Sequence, residues 1–394
     1  MSALLAPRRS SVIAASVPAN NPVRVCFMID RLSRAGTETQ LLALIRELDR
    51  SRVRPSLVLL DGDDDLSRAL EPADCPVIRL GIRHLLSMTT ARAATQLRAF
   101  WREHRPDILQ TYFLDASYFG VPLAKLSGVK HVIRVRNNLG YWMTFKHRVL
   151  GQCVRPFIDA TLTNTATGKQ ALVNQEGHRP DNVVVLENGV DTARFNRFMF
   201  PDTSKPRVRI GCVANLRPVK NVDGLMRAAK LVLERFPKFV FEVAGDGEQR
   251  PELERLHAEL GLGDSFKFRG SVTDVATFLR TVDIAVLPSH SEGMSNSLLE
   301  YMASGRAVIA TDVGANAQLV RHGKDGIVVP KGNAGAIADA IGELIANPMR
   351  AASYGASARR RAEAEYSRDA MRRRFEEFYL SLKTTGHQIG TRSR

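Results

Sequence analysis

Short apolar runs recur along the chain and alternate with stretches of helical spacing. Val23 to Ile29 (VRVCFMI) is expected to be a buried strand, leading through a glycine turn at Gly36 into the helix LLALIRELDR. Leu57 to Leu60, Ile108 to Tyr112, Val132 to Val135, Ala160 to Thr163 and Val183 to Leu186 continue the strand series. Helices are expected over Ala91 to His104 and Ser117 to Leu126. A break at about 200–206 (FPDTSKP) has the composition of a linker. The pattern then restarts. Strands are expected at Val208 to Ala214, Phe239 to Ala244, Phe266 to Arg269, Ile284 to Leu287, Ala307 to Thr311 and Gly326 to Val329. Helices are expected at Val222 to Arg235, Pro251 to Leu260, Val275 to Arg280, Asn296 to Gly305 and Ala334 to Ala346, with one basic helical stretch from about Pro348 to Lys383.

Alternation of this kind in each half predicts an α/β protein with two doubly wound, Rossmann-like domains facing each other across a cleft. The expected boundaries are a disordered leader over 1–21, a first domain over 22–200 and a second over 206–366. A C-terminal helix over 367–383 is a candidate to cross back to the first domain, and 384–394 is expected to be a flexible tail. No run approaches the eighteen or so apolar residues that a membrane-spanning helix needs.

Composition changes this picture little. Apolar content of 44% and charged content of 25% are those of a globular protein. Cys26, Cys75, Cys153 and Cys212 form no C-x-x-C pair, which predicts free thiols in a reducing cytosol. The acidic turn Asp61 to Asp65 reads as an exposed loop, because no second group has matching metal-ligand spacing. The net charge of +15 fits either a polyanionic partner or an arginine-rich solvated surface.

The chemistry concentrates between Val286 and Gly305 (VLPSHSEGMSNSLLEYMASG). A strand ends at Pro288, a polar loop follows, and a helix opens at Asn296. Ligands bind at such carboxyl ends of strands in open α/β sheets. Ser295, Asn296 and Ser297 are cap-type residues at a helix N-terminus, which favours an anion. Glu292 and Glu300 bracket that point. A diphosphate on the helix with a carboxylate on either side to accept hydroxyl hydrogen bonds suits a nucleotide-sugar. By themselves the two glutamates would read sooner as a charged loop and a solvated helix face; the rest of the chain reverses that.

The chain from about Val23 to Tyr379 resembles the retaining glycosyltransferases of family 4, with the GT-B fold. The resemblance rests on the Glu-x7-Glu pattern of Glu292 and Glu300 followed by Met302-Ala303-Ser304-Gly305. It rests also on the hinge-like Asn188-Gly189-Val190-Asp191 with Phe195, and on the turn Val243-Ala244-Gly245-Asp246-Gly247. It implies that Glu292 contacts donor-sugar hydroxyls and Glu300 the nucleotide ribose. Backbone N–H groups from Ser295 to Leu298 and the Lys220 ammonium would hold the diphosphate. Gly36, Asn215, Gly245, Gly293 and Met294 are the further donor-side positions it implies, and Arg136 and Asn137 the acceptor-side ones. It implies no metal and no cofactor; the nucleotide diphosphate-sugar, with uridine the commoner base, is a substrate.

Three positions depart from the family pattern. Asn215 stands where an arginine is usual, and Arg217 is expected to take over its work; the competing view has Arg34 or Arg136 closing over the diphosphate. Ala35-Gly36 replaces a double glycine. Arg136 replaces a histidine, adding a fixed cation that suits an acceptor bearing phosphate or carboxylate, or that packs across the cleft. From Ala116 to Ile158 lysines and arginines interleave with Tyr141, Trp142 and Phe145, and no acidic residue occurs among them. This pattern suits a peripheral contact of 130–158 with an anionic membrane, or else a helix whose apolar side is core. The expected activity is transfer of a sugar to a glycan or lipid-linked acceptor in cell-surface or exopolysaccharide synthesis, in the cytoplasm at the inner face of the membrane. A GT-B nucleotide-sugar epimerase is an alternative. A nucleic-acid-binding protein would explain the charge, but no nucleic-acid module is recognisable.

Overall fold

The computed structural model describes residues 21–62, 64–85, 87–137, 145–195 and 208–384. The leader over 1–20, the linker at 200–206, Tyr141 and Trp142, and the tail beyond residue 384 lie outside the described residues.

The first half forms a seven-stranded sheet from β1 (Val23–Ile29), β2 (Val53–Leu59), β3 (Val77–Arg79), β4 (Ile108–Tyr112), β5 (His131–Val135), β6 (Ala160–Thr163) and β7 (Val183–Val185). Its order is β3-β2-β1-β4-β5-β6-β7, and every ladder is parallel. The helices are α1 (Gly36–Glu47), α2 (Asp65–Leu70), α3 (Met88–His104), α4 (Leu114–Leu126), α5 (Phe145–Val154) and α6 (Ala166–Glu176).

The second half repeats the plan. Strands β8 (Arg209–Val213), β9 (Val240–Ala244), β10 (Phe266–Gly270), β11 (Ile284–Leu287), β12 (Ala307–Thr311) and β13 (Ile327–Val329) run parallel in the order β10-β9-β8-β11-β12-β13. Helices α7 (Val222–Arg235), α8 (Arg250–Glu259), α9 (Val275–Thr281), α10 (Asn296–Ala303), α11 (Asn316–Leu319), α12 (Ala334–Ala346), α13 (Pro348–Glu365) and α14 (Arg368–Thr384) complete the chain. Strand order reverses between β1 and β4 and between β8 and β11, the switch points where doubly wound sheets open a crevice.

Continuous apolar runs make these strands because both faces are covered. In β1, Val23, Val25, Phe27 and Ile29 enter one core, while Cys26 and Met28 enter the core on the opposite face. In β11, Ile284 and Val286 face one core, and Ala285 and Leu287 the other. Asp64 caps α2 by accepting from the Ser67 N–H at 2.8 Å, which accounts for one carboxylate of the acidic turn. Cys26, Cys75 and Cys212 are buried and Cys153 is exposed; all four are free.

The basic stretch from 348 to 383 forms two helices, α13 and α14, with the break at 366–367. Tyr366 leaves the helical conformation, and the Ser367 hydroxyl accepts from the Ala370 N–H at the start of α14. The break pairs with the hinge-like segment: the Val190 N–H donates to the Tyr366 carbonyl at 2.8 Å, and the Arg368 N–H donates to the Val190 carbonyl at 3.1 Å. A side chain at Gly189 would collide with Met371 and the Arg368 backbone, so glycine is required for this approach. Beyond the break, α14 lies on the first sheet. Met371, Phe378, Tyr379 and Leu382 join the core of β1, and the Tyr379 hydroxyl donates to Gln110 at 2.9 Å. Glu376, fully buried, accepts from the Asp49 N–H and pairs with Arg52 and Arg372.

Candidate active site

The two halves meet across an open cleft of about 480 Å³ at the carboxyl ends of β8, β9 and β11 and beside the start of α1. Glu292, Gly293, Met294, Ser295, Asn296, Ser297 and Glu300 line it, with Lys220, Asn215 and Gly245 from neighbouring loops and Gly36 and Asn137 from the first domain.

Lys220 closes a single 3-10 turn, Pro218–Lys220, after β8. Asn221 follows in the left-handed conformation with φ 52°, and its side chain donates to the Pro288 carbonyl at 2.9 Å. The His290 N–H donates to the Val219 carbonyl at 2.8 Å. These bonds hold the lysine turn against the loop after β11. Lys220 Nζ therefore meets Glu292 Oε1 at 2.6 Å, and the same oxygen accepts from the Ser289 hydroxyl at 2.7 Å. Glu292 is 9% exposed. A cation and a carboxylate from loops 72 residues apart thus share one wall of the cleft.

Two turns shape that wall. Gly245 has φ 143°, and a side chain there would strike the Ala214 carbonyl. Gly314 has φ 56° directly behind the Glu292 carbonyl, and the Ala315 N–H donates to the Gly293 carbonyl at 3.1 Å. Only glycine fits either position without strain.

The helix expected to face an anion begins as expected, but its N–H groups are divided. Ser295 is the N-cap, and its hydroxyl accepts from the Leu298 N–H at 3.3 Å. Leu298, expected to help hold a diphosphate, has its N–H engaged by the cap and its side chain in the core. Asn296 and Ser297 line the cleft, and their N–H groups precede the helical ladder. One turn on, Glu300 borders the cleft, and burial pushes its carboxyl up to about 7, with Arg194 opposing slightly.

Asn296 also does something that its sequence position does not announce. Its side-chain oxygen accepts from Gln40 at 3.1 Å and from Asn188 at 2.9 Å, and its nitrogen donates to the Gly36 carbonyl at 3.2 Å. Gln40 in turn exchanges two bonds with the Gly189 backbone, at 3.0 and 3.1 Å. The Thr167 hydroxyl donates to the Gly314 carbonyl at 3.1 Å. The two domains are clasped over the cleft by α1, α10 and the hinge-like segment.

Arg217 is not brought to the cleft. It is exposed and outside the lining, held in an extended conformation at the start of the lysine turn. Arg34 does line the cleft. Arg136 lines a separate small cavity with Asn137, and Nη2 pairs with Glu176 at 2.8 Å. Asn164, Thr37, Ser271 and Thr273 also line the main cleft and were not singled out in the sequence, and so does Asn188, expected only as part of the hinge-like segment. Asn164 and Asn188 are buried polar residues just past strands of the first sheet, and that position was their available signal.

Two paired Rossmann-like domains with a cleft of this kind define the architecture of the GT-B glycosyltransferases. Residues 34–194 match the sequence family described as Glycosyltransferase Family 4, and 207–347 match Glycosyl transferases group 1. The chain belongs to the GT-B glycosyltransferases. It is 29% identical over 301 residues to the D-inositol 3-phosphate glycosyltransferase of Streptomyces scabiei, covering 67% of this chain and 66% of that one. It is 31% identical over 197 residues to the lipopolysaccharide core biosynthesis mannosyltransferase LpcC of Rhizobium leguminosarum bv. viciae, covering 46% of this chain and 55% of that one. The chain thus spans between about half and two thirds of these curated relatives. Among solved structures, HepE of Anabaena in complex with UDP-glucose superposes with a TM-score of 0.77 at 20% identity, covering 91% of this chain and all of that one.

Proposed function

We propose that this protein transfers a sugar from a nucleotide diphosphate-sugar, a UDP-sugar in particular, to an acceptor hydroxyl with retention of anomeric configuration. The observation that carries the reading is the shared wall: the α10 N-terminus, the Lys220–Glu292 pair and Glu300 border one cleft at a switch point of the second sheet. In this reading the diphosphate lies at the first-turn N–H groups of Asn296 and Ser297, and the ribose hydroxyls reach Glu300. Lys220 exchanges part of its bond to Glu292 for the leaving diphosphate and stabilises charge as the glycosidic bond breaks. Glu292, released, accepts from sugar hydroxyls. The departing phosphate oxygen takes the acceptor proton on the same face of the sugar, which needs no protein nucleophile.

The names of the relatives support a cell-surface glycan or a phosphorylated small molecule as acceptor, and the HepE complex supports uridine in the donor. Among the described residues no helix is long and apolar enough to cross a membrane. Leu126, Val149, Leu150 and Phe157 are large exposed apolar residues of the first domain, which supports peripheral membrane contact within the basic stretch. The test is a thermal-shift screen of nucleotide-sugars followed by assay of UDP release. Stabilisation by a UDP-sugar and acceptor-dependent release in excess chelator are expected. Release without any acceptor, or an absolute need for added divalent metal, would count against this reading.

A further inference from the structure

The first domain holds a second cavity, of about 90 Å³, lined by Thr37, Tyr112, Phe113, Leu114, Arg134, Val135, Arg136 and Asn137. Two of its walls are arginines with almost no contact with bulk solvent, Arg134 at 3% and Arg136 at 5% exposure. Arg134 sits in β5, an interior strand, between Thr111 of β4 and Thr161 of β6. Apolar residues are usual at such a place, as Val132 and Ile133 just before it are.

The charges around this pair do not balance. Glu176 accepts from Arg136 at 2.8 Å and is the carboxylate that acts on Arg134. Among the described residues, Glu176 is thus the carboxylate that both buried guanidiniums share. Arg134 Nη2 is buried and has no hydrogen-bond partner among the described residues. His178 lies beside Glu176, with Nε2 3.8 Å from its carboxylate, and supplies no negative charge; burial pushes it down to about 4, so it is neutral. Tyr118 also faces the arginines, with its hydroxyl held above the usual range by burial, and so stays neutral as well. Burying a cation without a counter-charge is strongly unfavourable, and folded proteins retain such a group mainly where something binds it.

We propose that Arg134 and Arg136 form an oxyanion subsite that holds a phosphate or carboxylate group of the acceptor. The cavity has room for such a group, and an arginine fork is the side chain best matched to it. Thr37 and Asn137 line both this cavity and the donor cleft, so an anion held here anchors the acceptor next to the transferred sugar. The substrate class is an acceptor carrying an anionic group close to the hydroxyl that is glycosylated. This assignment rests on the transferase reading for the word acceptor, but the anion site stands or falls separately.

The test uses the full chain and inorganic phosphate. UDP is added first, to saturation, so that the donor cleft is filled, and the melting temperature is followed as phosphate or acetate is titrated in. A further rise of about 2 °C or more is expected as the probe saturates its site. Arg134→Met is expected to melt higher than wild type without the probe, because an uncompensated buried cation is gone, and to lose the rise. Arg134→Lys keeps the charge but not the fork; it is expected to weaken the response and carries the test if the methionine variant does not fold. A rise with phosphate alone assigns a phosphorylated acceptor, and a rise with acetate alone a carboxylated one. No rise in UDP-saturated wild type, or an equal rise in the Arg134 variants, overturns the subsite. Failure of UDP itself to stabilise the protein would instead count against the transferase reading and leave the arginine site to be judged on its own response.

Discussion

Replacing Glu300 with glutamine should strengthen the fold and weaken the enzyme, and the size of both effects follows from its environment. Burial raises the Glu300 carboxyl from its ordinary 4.5 to about 7. In the unfolded chain it titrates at the ordinary value. Below about pH 4.5 both states are protonated and the group carries no penalty. Between 4.5 and 7 the unfolded chain releases its proton while the folded one keeps it, so stability falls as pH rises. Above about 7 the cost is complete, at most about 3 kcal/mol for a shift of this size. Glu300→Gln removes the ionisation. Its advantage over wild type should therefore be near zero at pH 4.5 and grow to as much as about 3 kcal/mol at pH 8.5. Asp30 is likewise pushed up to about 7 by burial and the nearby Asp115, but it is common to both proteins and cancels in the difference.

Catalysis should run the opposite way. Only the ionised carboxylate accepts hydrogen bonds with both oxygens, and kcat/KM for the donor reports the free enzyme. The ionised fraction rises from about one tenth at pH 6 to about nine tenths at pH 8, so donor kcat/KM should rise about tenfold over that range. At pH 8 the glutamine variant should be about 10- to 100-fold less efficient, the loss expected for one hydrogen bond to a charged group, and its profile should lose this limb. The assays are paired melts at pH 4.5 and 8.5 and UDP release across the pH range. A variant that melts below wild type at pH 8.5, or that keeps the wild-type pH limb, would refute the reasoning.

Lys220→Met should lower kcat by about 100-fold or more with a smaller change in donor KM, because charge on the leaving diphosphate grows during reaction; equal loss in both parameters would reduce the lysine to a binding group. The same variant leaves Glu292 buried beside Ser289 without its cation, so Lys220→Met/Glu292→Gln should recover stability but not turnover, as read by denaturant melts and steady-state kinetics. Gly245→Ala should cost several kcal/mol or prevent folding, since its φ of 143° and the Ala214 carbonyl leave no room for a methyl group; a wild-type melt would contradict this. Arg34→Ala should impair donor binding and Arg217→Ala should not, given that Arg34 lines the cleft and Arg217 is exposed outside it; calorimetric titration with UDP separates the two.

The two sheets were legible because their strands are buried on both faces. A run such as Val23 to Ile29 leaves no polar alternation that could support another assignment, and β1 has those bounds. Most of what escaped was short or marginal, though α6, with 11 residues, was not assigned either. β3 has three residues, none fully buried, at a sheet edge, and α2 has six. The break between α13 and α14 falls at the expected start of the C-terminal helix, but its cause was not legible: what ends α13 is pairing with Val190, a contact with the far side of the chain. The site divides in the same way. Glu292, Glu300 and the cap at Ser295 lie on one strand-loop-helix unit and could be found by local pattern. The ion pair of Glu292 with Lys220 spans 72 residues and was not legible; the family resemblance brings both residues to the donor but gives them separate roles. The Asn296 clasp was not reachable at all, since its partners Gln40 and Asn188 come from a different domain. Arg217 misled because sequence proximity to Lys220 says nothing about direction.

In the proposed function a nucleotide diphosphate-sugar lies in the interdomain cleft against α10. A crystal structure of the full chain soaked with UDP-glucose tests it most directly. Diphosphate density is expected within hydrogen-bond distance of the Asn296 and Ser297 N–H groups and of Lys220 Nζ, with ribose hydroxyls on Glu300. Ordered nucleotide elsewhere on the protein, or an empty cleft at saturating UDP-glucose, would contradict it.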